Sequence, residues 1–542
     1  VVTGTDTSAL SEQPRKTERQ RRVAGAAPSS ERLRDGLYLI APALLAAGLC
    51  LIGITDRSLG FDESATFAIV SQHGAALRHA IAHDGGNMSG YYVLLHWLVS
   101  AFGSGVLVLR LPSAIAVAMA VGFTGALARR LFDMRIALFA SLMTAVSMPL
   151  VFWGQSARSY ALLVALVAGS FLAFAVLVDD RGRALTPRAR SIAWAAYVLA
   201  TALAMYMSLM AALALVAQLL MFPWWWGRHR RAVGAAVVAI AALCVPVALL
   251  AAGRGSSQLA WVSSPTLTDF DQVFEALTGA GLQPSIRATA TTPLLLGLTV
   301  AGLLAVAVTV ARGLRSRDSR QGLFGPVLLL SWLVVPVVLA WAESLVAQPL
   351  FLPRNLLFGA PAVAMLLAWG LTRPRVPLKL GIAGVALFLV LRALQLAPSY
   401  GVSPEDWKGA TAYVLHGTGA GDCTVFYPAD GRMGFQYYLT AQARRGAILP
   451  RPVLPRTPWS RVRPFIEDYA VPSQRVLTQL PSSCPRLWFI SSHQGRRHGS
   501  PAARREYRHY VQLRAALERE YATHAERIFG YASAVHVELL RP

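Results

Sequence analysis

LGFDESATFAIVSQHGAALRHAIAHDGGNMSGYY, Leu59 to Tyr92, is the stretch on which the reading of the whole chain turns. It follows the first apolar run directly and is neither greasy nor basic. It holds adjacent carboxylates, Asp62 and Glu63, and a third at Asp84. What surrounds it decides what those carboxylates can do.

The chain has 542 residues, 55% of them hydrophobic and only 15% charged. Soluble domains carry nearer a quarter of charged residues, so this is not an ordinary globular composition. The formal charge is +23. A nucleic-acid binder shows such a balance, and so does a multi-span membrane protein whose cytoplasmic loops collect Lys and Arg. Placement along the chain separates the two.

Apolar runs occur at about 37–54, 108–128, 136–152, 160–178, 191–206, 208–226, 232–252, 293–311, 323–342, 355–371 and 380–397. Each is near the length that a hydrocarbon core of about 30 Å requires, which predicts about eleven transmembrane helices. The first run is too long and too far along the chain for a signal-peptide core and reads as an uncleaved span. Residues 1–35 are polar and basic and read as a disordered cytoplasmic tail.

The loops alternate in charge. One set carries Arg129, Arg130 and Arg135, then Arg181 to Arg190, Arg228 to Arg231, Arg312 to Arg320, and Arg373 to Lys379. The other set is poor in basic residues although it includes the two longest loops, 55–107 and 253–292. This fits the positive-inside rule with a cytoplasmic N-terminus, in the cytoplasmic (inner) membrane. It also excludes nucleic acid as the partner, because the basic residues lie in short clusters between spans. The carboxylate loop and everything after 398 are then extracytoplasmic. Within that loop, Ser64–Ala82 has a helical pattern. Tyr91–Phe102 is apolar but too short to span, which predicts a helix in the interface.

From 398 the composition changes. Trp407-Lys408 and the runs 422–427, 486–492 and 535–540 read as short buried strands, and 435–445 and 504–526 as helices. The expected fold is an α-helical polytopic membrane protein with a small C-terminal extracytoplasmic α/β domain. Of four cysteines, Cys50 and Cys244 lie in apolar runs and read as packing residues. Cys423 and Cys484 lie in the polar domain and could pair in an oxidising compartment. No Cys/His cluster has zinc-ligand spacing.

Four constellations carry chemistry. Asp62-Glu63 can supply a base and a polar group that orients a substrate, although Asp62 also reads as the N-cap of a helix starting near Ser64. His83, Asp84 and Asn87 sit in a glycine-rich turn ahead of Tyr91 and Tyr92, where backbone can approach a ligand closely. The plain alternative there is a solvated loop. GQSARSY, 154–160, puts Arg158 at an outer end, against the charge bias. QPLFLPRNLLF, 348–358, does the same for Arg354. Arginine suits bidentate phosphate recognition, and its plain alternative is snorkelling to lipid headgroups.

The order and spacing of these pieces resemble bacterial membrane glycosyltransferases of the GT-C superfold. That group contains the protein O-mannosyltransferases of glycosyltransferase family 39 and the aminoarabinose transferases. The resemblance is nearest to the RgtA/B/C/D-like mannosyltransferases. It is carried by Asp62-Glu63, Asp84, Tyr91-Tyr92 with Leu94-Leu95-His96, RLPSAIAV at 110–117, ARRLF at 128–132, Gln155, Ala157, Arg158 and Tyr160, Pro353-Arg354, and Asp406-Trp407-Lys408. Three features depart from the pattern. Gly85 to Gly90 replaces a His-Pro-Pro, Tyr206-Met207-Ser208 stands where a Tyr-Thr-His is often seen, and Asn355 replaces a Tyr.

The resemblance implies an inverting transferase that moves a sugar, mannose-like or arabinose-like, from a polyprenyl-phosphate carrier to a glycan, lipid or protein acceptor in cell-envelope assembly. By the same resemblance Asp62 is the base, Glu63 and Asp84 orient hydroxyls, and Arg158 and Arg354 hold the carrier phosphate. His83, Asn87, Tyr91, Tyr92, Gln155, Tyr160 and Asn355 join the substrate-binding set. A divalent metal is allowed and not required. Two rivals remain. A transporter or flippase would want ionisable residues in mid-membrane, and the spans read as nearly free of them. A non-catalytic envelope binding protein would make the C-terminal domain the working part.

Overall fold

The computed structural model describes residues 29–178, 185–254, 262, 264–279, 292–315, 323–347, 349–372, 377–401, 403–442, 446–465 and 472–542. The expected basic tail lies outside these residues up to 28, as do the basic positions 181–183, 317–320 and 373–375. From Ser29 the chain is already helical, in α1 (Ser29–Leu51).

The chain then runs through α2 (Phe61–Val70), α3 (Gly74–His83), α4 (Ser89–Phe102), α5 (Val106–Leu131), α6 (Met134–Ala145), α7 (Met148–Gly154), α8 (Tyr160–Val178), α9 (Pro187–Met207), α10 (Ala211–Leu219) and α11 (Phe222–Arg254). Next come α12 (Leu267–Thr278), α13 (Thr292–Arg315), α14 (Phe324–Val346), α15 (Pro353–Leu356), α16 (Ala360–Leu371) and α17 (Leu378–Ser399). Among the described residues, six helices are long and apolar enough to cross a membrane. The bent pair α6 and α7, which turns by 59°, raises the number to seven if it is one span. The chain is a multi-pass membrane protein. Among the described residues, fewer helices than the expected eleven have that length and composition.

Helix α5 is the post around which the others pack. The middle of its inward side is mostly small or polar, with Ser113, Ala114, Val117, Ala120, Val121 and Thr124 buried. Leu111, Ile115 and Met119 point out and stay exposed. Small inward residues let helices approach closely where lipid offers no hydrophobic drive. At Gly154 in α7 an added Cβ would lie 2.6 Å from Cys50 Sγ and 2.8 Å from Val117 Cγ2, so only glycine allows this junction of α1, α5 and α7. Side-chain hydrogen bonds tie α8, α9 and α10: Tyr197 donates to Gln218 (3.0 Å), which donates to Ser170 (2.9 Å), itself 2.8 Å from Thr201.

Two expected spans, 208–226 and 232–252, are divided otherwise. A nine-residue helix, α10, ends at Leu219, and Pro223 then opens the 33-residue α11. At 1.5 Å per residue α11 is about 50 Å long, more than the bilayer core. Arg228, Arg230 and Arg231 therefore lie on a helix and not in a loop. The spans also hold two buried arginines, Arg110 in α5 and Arg392 in α17. Arg392 donates to the carbonyls of Thr278 and Gly279 at the C-terminal end of α12, where a cation meets the negative end of the helix.

The C-terminal domain opens with α18 (Trp407–Gly417), a helix where strand was expected, because Asp406 caps it by accepting from Gly409 N–H at 2.9 Å. Strands β1 (Cys423–Tyr427), β2 (Arg451–Leu454), β3 (Leu487–Ser491), β4 (Ala522–Phe529) and β5 (Val535–Arg541) form one sheet in the order β2-β1-β3-β5-β4. β1 and β3 are parallel and buried throughout, and β5 runs antiparallel to β3 and β4. Helices α19 (Arg432–Gln442) and α20 (Pro501–Glu518) pack on the sheet, through Phe435 on Phe426 and Tyr510 on Phe489. The expected helix 504–526 stops at Glu518, and the chain from Ala522 becomes an edge strand paired to β5. Cys423 and Cys484 are joined by a disulfide.

This domain grips the start of the carboxylate loop. Ser58 N–H donates to Ser403 Oγ (3.0 Å), Leu59 N–H to Tyr438 Oη (2.7 Å), and Lys408 N–H to Ser58 Oγ (3.0 Å). The Phe67 and Tyr437 rings meet edge to face at 4.9 Å.

Candidate active site

Helix α2 begins at Phe61, three residues earlier than its pattern predicts. Gly60 is the N-cap, in an extended conformation, and its N–H donates to Glu63 Oε2 at 3.2 Å. The capping role considered for Asp62 therefore falls to its neighbours. Asp62 is left in the first helical turn, where the partial positive charge of the helix end favours a carboxylate.

Glu63 is spent on structure. Its two oxygens accept from Arg110 Nε and Nη2 at 2.9 and 2.8 Å, and from Ala157 N–H at 2.7 Å. Arg110 also donates to the carbonyls of Ile54, Arg57 and Ser58, so one buried guanidinium fixes both the loop and the helix start. Burial pushes Glu63 upward, but the Arg110 charge and its hydrogen bond pull harder and hold the carboxyl below its ordinary range.

Asp62 faces the other way and keeps 42% of its side chain exposed. Its Oδ2 lies 3.3 Å from Arg354 Nη1 and 3.8 Å from Arg158 Nη2. Burial raises its pKa; the charges of Arg158, Arg354 and His493 together outweigh this and hold it below the ordinary carboxylate range. Arg158 is delivered by the turn between α7 and α8. Its Nη1 reaches the Asp62 carbonyl (3.4 Å) and Thr66 Oγ1 (3.5 Å), and its Nε has no hydrogen-bond partner among the described residues. Burial works against the Arg158 charge, and Asp62, Tyr160 and Tyr92 more than restore it. Arg354 stands in the first turn of α15, behind Pro353.

Asp84 ends α3 and accepts from Tyr92 Oη at 3.0 Å. After burial, Asp84 has the largest effect on the Tyr92 hydroxyl, which also feels Arg158 and Asp62 and is held well above its ordinary pKa. The turn between α3 and α4 needs Gly85 and Gly86, with φ of 64° and 71°, and Met88 follows at 61°. At Gly86 a Cβ would also strike Leu250 of α11 at 2.8 Å.

The predicted residues thus sort into groups. Asp62, Arg158 and Arg354 meet directly, with the Asp84–Tyr92 pair electrostatically linked to them. Tyr91 Oη lies 3.1 Å from Ser113 Oγ, and Gln155 donates to the carbonyls of Cys50 and Ile52. The Tyr160 ring packs on Trp153 at 4.4 Å, and Asn355 donates to the Leu350 carbonyl. The His83 ring meets Phe465 of the C-terminal domain at 4.3 Å, tilted by 37°, and Asn87 lies half-buried in its turn.

Sequence reasoning missed Arg110, Glu405 and His493. Arg110 had a signal, a lone arginine early in an apolar run. Glu405 and His493 had none. Glu405 Oε2 accepts from Phe61 N–H at 2.6 Å and from Trp407 Nε1 at 3.2 Å, and its other oxygen lies 3.5 Å from His493 Nε2. Burial raises the Glu405 pKa, against the pull of His493 and the Phe61 N–H.

Among the described residues no group of three or more His, Cys, Asp or Glu side chains is placed to hold a metal ion. Beside Asp62 two guanidiniums stand where a divalent cation would have to approach. This donor set does not fit a metal.

No protein-family model and no curated protein matches the sequence. Solved structures do. The oligosaccharyltransferase of Archaeoglobus fulgidus in its apo form superposes with a TM-score of 0.53 at 13% identity, over 92% of this chain and 74% of that one. The same organism's oligosaccharyltransferase AglB, in complex with an inhibitory peptide and a dolichol-phosphate, gives 0.51 at 13% identity over 94% and 74%. ArnT from Cupriavidus metallidurans, bound to undecaprenyl phosphate, gives 0.48 at 13% identity over 95% and 98%. With the architecture shared with the archaeal oligosaccharyltransferase along nearly its whole length, the chain has the GT-C superfold.

Proposed function

We propose that this protein is an inverting glycosyltransferase that moves a sugar from a polyprenyl-phosphate carrier to an acceptor hydroxyl at the outer face of the cytoplasmic membrane. The observation that carries the reading is the Asp62 carboxylate held between Arg158 and Arg354, from two distant turns, beside the Asp84–Tyr92 pair. A dolichol-phosphate bound to AglB, a protein of like fold, supports a lipid-phosphate carrier as the donor class.

In this reading the carrier phosphate binds to the two guanidiniums and takes up the bonding electrons of the breaking sugar–phosphate bond. Arg158 has donor capacity left for it. Pre-placed cations of this kind stabilise developing charge without reorganising, and losing one costs roughly 10²–10³-fold in rate. The acceptor oxygen forms the new glycosidic bond, and its proton passes to Asp62. Asp84 and Tyr92 orient sugar or acceptor hydroxyls. Glu63, saturated by Arg110, positions the helix that carries Asp62. The sugar is mannose-like or arabinose-like by resemblance.

The test is transfer of labelled sugar from a panel of polyprenyl-phosphate sugars by the purified protein in lipid nanodiscs. Turnover of one donor is expected. A well-folded protein that turns over none would favour a non-catalytic binding protein.

A further inference from the structure

Resting on that reading, we propose that His493, held by Glu405, is the acceptor-side residue of the site: its imidazole hydrogen-bonds the acceptor hydroxyl across from Asp62, so the C-terminal domain completes the active site.

His493 comes from the loop after β3, more than 400 residues from Asp62 in the chain. Its ring packs on the Phe61 ring at 4.6 Å, and Phe61 is the residue next to Asp62. Glu405 holds both sides of this junction, binding Phe61 N–H and facing His493 Nε2. The His493 side chain is 35% exposed, and with Asp62 it is the most open part of a junction whose other ionic groups, Glu63, Arg158, Glu405 and Arg354, are 8%, 12%, 15% and 22% exposed.

The imidazole is only loosely engaged at Nδ1, whose partner Ser492 Oγ lies 3.4 Å away, beyond the usual range for a good bond. An incoming hydroxyl can displace Ser492 there while Nε2 stays against Glu405 at 3.5 Å. The His493 backbone sits at φ 47°, in the left-handed region that non-glycine residues rarely enter. Such outliers persist where surrounding structure enforces them and gather at functional sites. The ligand this geometry takes is a neutral hydroxyl, as on a sugar or polyol. The proton still goes to Asp62, and His493 aligns the oxygen's lone pair with the sugar carbon.

The experiment compares wild type with His493→Ala and His493→Gln in nanodiscs, using the donor that wild type turns over. Two rates are read: release of free sugar to water, and transfer to a panel of octyl glycosides. We expect His493→Ala to lower glycoside transfer roughly tenfold, about the worth of one good hydrogen bond, mainly through acceptor KM. Release to water and donor KM should stay within about threefold, and His493→Gln should recover part of the loss. A parallel fall of both rates with a lower unfolding temperature would reduce His493 to a prop for the Phe61 turn and overturn the inference, as would no change in either. Wild type that releases sugar to water but uses no glycoside would overturn the acceptor site alone. Wild type that does neither with any donor would defeat the transferase reading itself.

Discussion

Asp62 Oδ2 and Arg354 Nη1 lie 3.3 Å apart although 292 residues separate them in the chain. The contact closes the site across the whole membrane domain, and Arg158 closes it from a third element. A carboxylate so placed competes with any anion for the same cations.

That competition yields a binding prediction. Undecaprenyl phosphate should bind Arg354→Gln at least tenfold more weakly than wild type, since a charge-assisted hydrogen bond is worth about 1.5–3 kcal/mol. Arg158→Lys should not restore wild-type affinity, because an ammonium lacks the planar fork. Titration by native mass spectrometry or tryptophan fluorescence checks both. Equal affinity in all variants would remove the arginines from the carrier site.

The pH dependence follows from the sign of the Asp62 shift. Its pKa is held below the ordinary carboxylate value by its cationic neighbours, so the group is ionised throughout pH 5–8. The stability it contributes is present above the ordinary value and lost only as pH falls through the depressed one. In kcat/KM, which reports the free protein, Asp62 should therefore produce no acid limb between pH 8 and 5. A limb near pH 6 that Asp62→Glu displaces would contradict the lowered Asp62 pKa.

Glu63 and Asp62 are neighbours with opposite fates under mutation. Glu63→Gln leaves the Arg110 guanidinium buried without its carboxylate partner, which costs about 3–5 kcal/mol for a broken buried pair. It should lower the unfolding temperature sharply. Asp62→Asn, at a group two-fifths exposed, should not. Similar unfolding temperatures for the two variants would refute this division of labour.

The disulfide closes a loop of 61 residues in the C-terminal domain. On the chain-entropy account this constrains the unfolded state by about 4 kcal/mol. Cys423→Ser with Cys484→Ser should destabilise the domain and, because that domain holds Ser58, Leu59 and Phe61, lower activity before the membrane helices unfold. Limited proteolysis run beside a transfer assay would check the order of events.

Much of this was legible in the sequence because the proposed site residues are outliers against a simple background. Carboxylates in one loop and lone arginines at two span ends stand out from apolar helices and clustered basic loops. The start of α2 was misread because its cap is Gly60, with Glu63 reaching back, a pair that composition does not advertise. The length of α11 was hidden because Arg228–Arg231 interrupts the hydropathy while the helix runs on. β4 was misread because Ala, Glu and Arg favour helix, and pairing with β5 overrode that preference. The Glu405–His493 pair was invisible for a different reason. Neither residue is unusual where it stands, and only the docking of the C-terminal domain on Phe61 brings them to the site.

The most direct measurement is sugar transfer from the polyprenyl-phosphate panel by wild type and Asp62→Asn side by side, with undecaprenyl phosphate binding read on the same samples. The account predicts turnover of one donor by wild type, a loss of roughly 10²–10⁴-fold in the variant, and carrier binding in the variant as tight as in wild type or tighter. A variant that transfers sugar as fast as wild type would make Asp62 an ion-pair partner and nothing more, and would contradict the account at its centre.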